Sequence, residues 1–410
     1  MTGDSLQGGS WQGIQFAVIS LQGRQEILKL HKMCRTTLIL ALVGVFHGSL
    51  FAQSTITFLL GEGAPLHADS VYFFAGNIND WKPSDLSYKF DATGKLQVKA
   101  KPGSLLEWKV TRGSWSKAEC MVDGTNFGNR RLTVSGDTTL VLNMQGWTDV
   151  LTGGRKKSTA SRHVIISDTA FFINTLSRSR TLRFYLPPDY HTGSKRYPVL
   201  YLHDGQNCFD DATSFGGEWH ADEALDRLFD SCGKSFIVVA IDNSSTQRLT
   251  EYNPYNSQRY GKGEGMQYAK WLATTLKPYV DKHFRTMPEA KYSIVAGSSM
   301  GGLISFYLAA TYPQQFGAAG VFSPAFWVAP EVFSLPAKMG TDKSPKPGFF
   351  FYAGGKESAN MENDTRNMYT ALKAKVPLSK SDLYIDKDAG HNEAAWAKWF
   401  PLFLKWLQVP

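Results

Sequence analysis

The chain has 410 residues, 43% of them apolar and 13% aromatic, and carries a formal charge of +8. That apolar content can fill sizeable cores and excludes a disordered chain, and the length points to two or three domains. The charge is mild, because residues 1–52 hold four basic against two acidic side chains and leave +6 on the rest; the densest basic run, Arg155-Lys156-Lys157, reads as a solvated connector rather than a nucleic-acid contact.

Residues 1–32 show neither a helical nor a strand period. A short basic region, Lys32-Met33-Cys34-Arg35, then precedes an apolar core from Leu38 to Phe46, and Ser49-Leu50-Phe51-Ala52 ends in a small residue before Gln53. This is the layout of a secretory leader, with Leu50 an imperfect residue for cleavage. Residues 1–52 are therefore expected to be an N-terminal extension plus signal peptide, with translation starting at Met33 and a secreted or periplasmic product. The apolar core is too short for a permanent membrane span. Loss of Cys34 would leave Cys120, Cys208 and Cys232. Cys208 and Cys232 fall in one expected domain and could pair in an oxidising compartment, but sequence leaves their separation open. Neither Cys-x-x-Cys nor His-Glu-x-x-His occurs, so no metal and no cofactor is expected.

Residues 53–145 read as a small all-β sandwich. Alternating runs at Ile56 to Leu60, Val71 to Phe74, Leu106 to Val110 and Thr138 to Leu142 are separated by Gly, Pro, Asn and Asp turn clusters. Residues 146–162 are Gly-rich, Ser/Thr-rich and basic, with no apolar period, and read as a linker. From 163 to 410 the texture changes. Apolar strands are expected at Thr181 to Leu186, Val199 to Leu202, Phe236 to Ile241, Tyr292 to Ala296, Ala318 to Phe322, Phe349 to Tyr352 and Leu383 to Ile385. Helices are expected at Ala221 to Phe229, Gly265 to Tyr279, Met300 to Ala310, Asn363 to Ala374 and Glu393 to Leu407. Continuous apolar strands between amphipathic helices imply a mostly parallel, doubly wound α/β sheet.

The chemistry centres on Gly297-x-Ser299-x-Gly301, which joins a β-branched run to a helix pattern and has the spacing of a nucleophile elbow. A serine on such a turn presents its hydroxyl outward, and the helix start behind it favours an anionic oxygen. In an α/β-hydrolase the partners follow in the order serine, acid, histidine. Of nine histidines only His391 lies beyond Ser299. The acid must come from the carboxylates between them. Glu357 follows the buried run Phe349 to Tyr352 and Ala353-Gly354-Gly355-Lys356, at the strand end from which a triad acid reaches a histidine, and it is preferred to Glu362, which starts a helix. The oxyanion hole is expected from the amide of Met300 and one from His203-Asp204-Gly205-Gln206-Asn207, with Gln206 the choice. Trp219, Phe326, Trp327 and Trp396 are candidates for pocket walls, with core packing the alternative for each.

Taken together, His203 to Asn207, Arg248 with Glu251-Tyr252, Leu276-Lys277-Pro278-Tyr279, Arg285-Thr286, Gly297 to Gly302, Phe322 to Trp327 and Gly390-His391-Asn392-Glu393 with Trp396 resemble the esterase family that includes family 1 carbohydrate esterases, enterochelin-esterase-like proteins, esterase D and the mycolyltransferases. The resemblance covers residues 163 to 408. It implies an α/β-hydrolase acting on a small-molecule or glycan ester, with feruloyl or acetyl groups on plant polysaccharides as the first substrate class, a siderophore ester as the second, and acyl transfer as a further outcome. Ala75 to Trp81 and Arg112 to Trp115, with Glu119 and Asn129-Arg130, resemble a carbohydrate-binding type of immunoglobulin-like module, in which Trp81 and Trp115 would face a sugar; a core or interface role is the alternative.

Overall fold

The computed structural model describes residues 53–61, 71–122, 124, 128–151, 157–244, 246–341, 344–377 and 379–408. The proposed leader and start at Met33 lie outside them. The chain divides into two compact units between Thr148 and Asp149.

In the first unit β1 (Ser54–Leu60), β2 (Phe73–Gly76), β3 (Lys95–Ala100), β4 (Leu105–Thr111), β5 (Glu119–Cys120), β6 (Arg130–Thr133), β7 (Thr138–Leu142) and β8 (Gly146–Trp147) form two three-stranded sheets, ordered β3-β1-β7 and β2-β4-β6, and a short β5-β8 pair. Alternation decides the packing. Ile56 and Phe58 of β1 point to the same core as Phe74, Leu106, Trp108 and Val110 of the other sheet, with the Phe58 and Trp108 rings 5.0 Å apart. Trp108 is thus core. Trp147, inside the segment expected to be linker, is also core and pairs with Glu119 across β5-β8, so the first unit runs slightly further than its turn chemistry suggests. Glu119 is buried, accepts two bonds from the Arg130 guanidinium and receives the Val110 amide, which is a structural ion pair.

The second unit is built on an eight-stranded sheet. Its strands are β9 (Val164–Ile166), β12 (Leu182–Tyr185), β13 (Val199–His203), β14 (Ile237–Ile241), β15 (Ser293–Ser298), β16 (Ala318–Phe322), β17 (Gly348–Gly354) and β18 (Ser381–Asp386), with β10 (Phe171–Ile173) and β11 (Arg178–Arg180) in a separate two-stranded sheet. The order is β18-β17-β16-β15-β13-β14-β12-β9, parallel except where β12 meets β14 and β9. Successive residues of each central strand go to opposite faces. Val199 and Tyr201, Ile237 and Val239, Phe349 and Phe351 enter one core, while Leu200 and Leu202, Val238 and Ala240, Phe350 and Tyr352 enter the other. Two apolar faces need two helical layers. Residues of α1 (Ala221–Cys232) and α5 (Glu393–Trp406) pack into the second core, and residues of α2 (Gly265–Trp271), α3 (Met300–Thr311) and α4 (Ala359–Lys375) into the first.

The differences from expectation are local. The helix expected to end at Tyr279 passes through a π-helical stretch, Leu272–Leu276, and continues as Lys277–His283, with Pro278 directly after the widened turn. Helix α4 starts four residues early, since Ser358 caps it by accepting the Met361 amide. Cys208 is buried and Cys232 exposed, and both are free thiols. No described helix is long and apolar enough to cross a membrane.

Candidate active site

Strand β13 is hydrogen-bonded to β14 on one side and β15 on the other. The chain therefore leaves β13 in one direction and β15 in the other, which makes their carboxyl ends the switch point where ligands usually bind in such sheets. Ser299 follows β15, and Gln206 follows β13. Glu357 and His391 follow β17 and β18.

Ser299 holds φ 58° and ψ −118°, a conformation costly for any side chain and kept only where its surroundings impose it. Here the restraints are visible. Its amide donates to Phe322 O at 2.9 Å, and its carbonyl accepts from Leu303 N at 3.1 Å and Ala325 N at 3.0 Å. A Cβ on Gly297 would stand 2.9 Å from the Gly301 carbonyl carbon, and one on Gly301 3.2 Å from His203 Cβ, so the elbow closes only over glycine. Helix α3 begins at Met300, whose amide lies in the first turn and has no intrahelical acceptor. The β13 loop forms a 3₁₀ turn, Gly205–Asn207, closed by the Asn207 and Cys208 amides, which leaves the Gln206 amide outside those bonds.

The loop is held from below. Asp204, at φ 60°, accepts two bonds of 2.7 Å from Arg248 and one of 2.6 Å from Asn243 Nδ2. Burial alone would raise its carboxyl, but the Arg248 charge and these bonds hold it below the usual carboxylate range. His203 lies under the loop with Nδ1 3.1 Å from the Tyr268 hydroxyl and Nε2 without a partner; burial lowers its pKa to about 4, so it is neutral.

On the other side of the elbow, His391 Nδ1 lies 2.8 Å from Glu357 Oε2. The second carboxylate oxygen, Oε1, accepts from Ser323 Oγ at 2.6 Å and from the Gly354 amide at 2.7 Å, and Ser323 Oγ itself accepts from Trp396 Nε1 at 3.0 Å. Three hydrogen-bond partners around one buried carboxylate fix its plane and its orientation towards the imidazole. With Nδ1 donating to the carboxylate, Nε2 is left as the basic nitrogen. The loops bearing Glu357 and His391 are tied by Lys356 N to Ala389 O at 2.9 Å, and a Cβ on Gly354 would lie 2.4 Å from that same oxygen. The Trp396 ring stands edge-on to His391, at 89° and 5.0 Å between centroids. Ser299 Oγ forms no hydrogen bond among the described residues.

The other candidates separate by burial. Phe326 is fully buried against Phe306 and Phe333, a core position rather than a wall. Trp219 is buried against Phe322, Trp396 and Phe400. Trp327 is 38% exposed. Glu362, the rejected acid, pairs with Arg366 along its own helix. Sequence reasoning gave no role to Ser323 or to the Asp204–Arg248 pair, although both lie inside quoted motifs; a serine directly after β16, with its own strand-end neighbours on either side, was the available signal. Trp81 and Trp115 are half-buried, with ring centroids 6.3 Å apart.

Residues 173–404 match the family described as "Putative esterase", and the chain belongs to it. It is a carboxylic ester hydrolase with the α/β-hydrolase fold. Among curated proteins it is 26% identical to the uncharacterized protein YbbA of Bacillus subtilis over 56% of this chain and 92% of that one. It is 27% identical to the endo-1,4-beta-xylanase/feruloyl esterase of Xylanibacter ruminicola over 58% of this chain but only 30% of that protein. Of solved structures, the enterobactin esterase FES of Shigella flexneri aligns with 88% of this chain and 94% of its own at a TM-score of 0.50 and 14% identity, a likeness of fold.

Proposed function

We propose that this esterase is an exported enzyme that works through Ser299, His391 and Glu357 and removes feruloyl or acetyl groups from plant-type polysaccharides. The observation that carries the triad is the 2.8 Å bond between His391 and a triply held Glu357, at the same sheet edge as the strained Ser299 elbow. In this reading His391 Nε2 takes the Ser299 proton as Oγ attacks the ester carbonyl, and the serine–imidazole hydrogen bond forms when substrate seats. The oxyanion is received by the amides of Met300 and Gln206, which cost no reorganisation because both are fixed before substrate arrives. His391 returns the proton to the leaving alcohol, and water then releases the acid by the same steps in reverse. Glu357 keeps the imidazole in the correct tautomer and stabilises the imidazolium.

The substrate class rests on the relative named as xylanase/feruloyl esterase and on the leader-like residues 33–52. The half-buried Trp81 and Trp115 support a sugar-binding face on the first unit, testable by retardation on soluble xylan and starch with each tryptophan replaced by alanine. Methyl ferulate, p-nitrophenyl acetate, acetylated xylan and enterobactin, with xylo-oligosaccharide as an added acceptor, distinguish polysaccharide esters from siderophore esters and hydrolysis from acyl transfer. Ser299→Ala and His391→Ala are each expected to remove turnover by roughly a thousandfold or more. Retention of activity by Ser299→Ala would sink the triad.

A further inference from the structure

Among the described residues one cluster away from the triad brings together side chains that could ligate a metal, Glu218, His220 and Glu223, whose ligand atoms all lie within 4.8 Å of one another. They sit where the loop after β13 enters α1. His220 Nδ1 is 3.1 Å from Glu218 Oε1 and 3.4 Å from Glu223 Oε1. The edge of a tetrahedron around zinc, with bonds of about 2.0–2.1 Å, is roughly 3.3 Å, so this spacing suits ligands sharing one ion.

A second, independent feature concerns the buried carboxylates. The Glu218 side chain is wholly withdrawn from solvent, and its Oε2 has no hydrogen-bond partner. Asp222 Oδ1 and Glu223 Oε2 are buried beside it, but those two side chains bond one another and are not counted with Glu218. A fully buried carboxylate with an unpartnered oxygen is costly, because an oxygen removed from water must regain its interactions elsewhere. The groups around Glu218 supply no donor to its Oε2. Thr159 Oγ1 bonds Glu218 Oε1 at 2.5 Å and the Ser161 amide bonds Asp222 Oδ2 at 2.7 Å, both on the oxygens already counted as satisfied.

We propose that Glu218, His220 and Glu223 form a structural binding site for a divalent transition metal of the zinc type. One imidazole nitrogen with two carboxylates suits such an ion better than calcium or magnesium, which take oxygen ligands. The start of α1 carries about half a positive charge, which opposes a cation, but two carboxylates outweigh it roughly fourfold. The His220 and Glu223 side chains are 49% and 31% exposed, which gives an ion a route in while Glu218 forms the floor. The sequence patterns searched for metals, His-Glu-x-x-His and Cys-x-x-Cys, do not include Glu-x-His-x-x-Glu. The ion would brace the segment running back from Glu218 to Gln206, where Trp219 N already bonds Asn207 O at 2.8 Å.

The test is calorimetric titration of chelator-treated, full-length protein with zinc chloride, for wild type, His220→Ala and Glu223→Gln, with circular dichroism to verify folding. Both substituted side chains reach solvent, so folding is expected to survive. The expected result is one ion per chain, bound at least about tenfold more weakly by each variant, with a zinc-dependent rise in the wild-type thermal midpoint that both variants lose. If His220 is only an imidazolium bridging two carboxylates, the wild type binds no zinc at a hundred micromolar. That result, or binding that either variant retains undiminished, overturns the proposal.

Discussion

Replacing Glu357 by glutamine tests the orientation of the imidazole with almost no change in shape. The side-chain amide has one acceptor and one donor end, and the surroundings decide which goes where. Oε1 receives two donors, Ser323 Oγ and the Gly354 amide, so the glutamine oxygen is expected at that position. Its NH₂ group then faces His391 Nδ1 in place of the present 2.8 Å acceptor. A donor there forces Nδ1 to accept and puts the ring proton on Nε2, the nitrogen that must receive the serine proton. The wrong tautomer and the lost negative charge together are expected to lower kcat about 10³- to 10⁴-fold, or roughly 4–5.5 kcal/mol, with little change in KM. The assay is steady-state hydrolysis of p-nitrophenyl acetate by wild type and Glu357→Gln across pH, alongside urea unfolding to separate catalysis from folding. Turnover by Glu357→Gln above a tenth of wild type, with Ser299→Ala inactive, would refute the assignment of the acid.

Three further outcomes follow from the packing around the site. Gly297→Ala places a Cβ 2.9 Å from the Gly301 backbone, so it is expected to cost roughly 2 kcal/mol or more in urea unfolding and to lower activity by opening the elbow. Arg248→Ala strips two 2.7 Å bonds from a largely buried Asp204, with an expected loss of about 3 kcal/mol; a loss under about 1 kcal/mol would mean that water replaces the guanidinium. His203 has a folded pKa of about 4 against about 6.5 when unfolded, so protons bind the unfolded chain first, and the stability it contributes is complete above pH ~6.5 and lost as pH falls towards 4. Between pH 8 and pH 5 that amounts to about 2 kcal/mol, and His203→Gln should flatten the stability profile by this amount; parallel profiles would show that His203 is not the group responsible.

Much of this molecule is written in local pattern. The apolar runs at Val199, Phe236, Ile294, Ala318 and Phe349 are strands buried on both faces, and their sequence carries that as an unbroken apolar pattern. The elbow was legible because Gly297 is required by the backbone of Gly301 four residues on, and the order rule then left one histidine, His391. Strands β9, β10 and β11 escaped notice because three-residue strands with half-exposed side chains leave no period to read.

Other features depend on residues distant in sequence and so required the fold. Glu357 is preferred from its place after a buried strand, but its partners Ser323, Gly354 and Trp396 come from β16, β17 and α5, and of the two readings open for Phe326 its place between Phe306 and Phe333 selects core. The support of Asp204 by Arg248 and Asn243 spans about forty residues, and the carboxylate cluster at Glu218 becomes unusual only once burial removes its water. Sequence by itself determined the fold class and the place of the Ser299 elbow, because burial period and tight backbone turns are properties of neighbouring residues. Tertiary structure decided which groups surround Glu357, what braces Asp204 and which oxygen is left unpartnered, because a hydrogen bond or a desolvation cost depends on what the rest of the chain brings within a few ångströms.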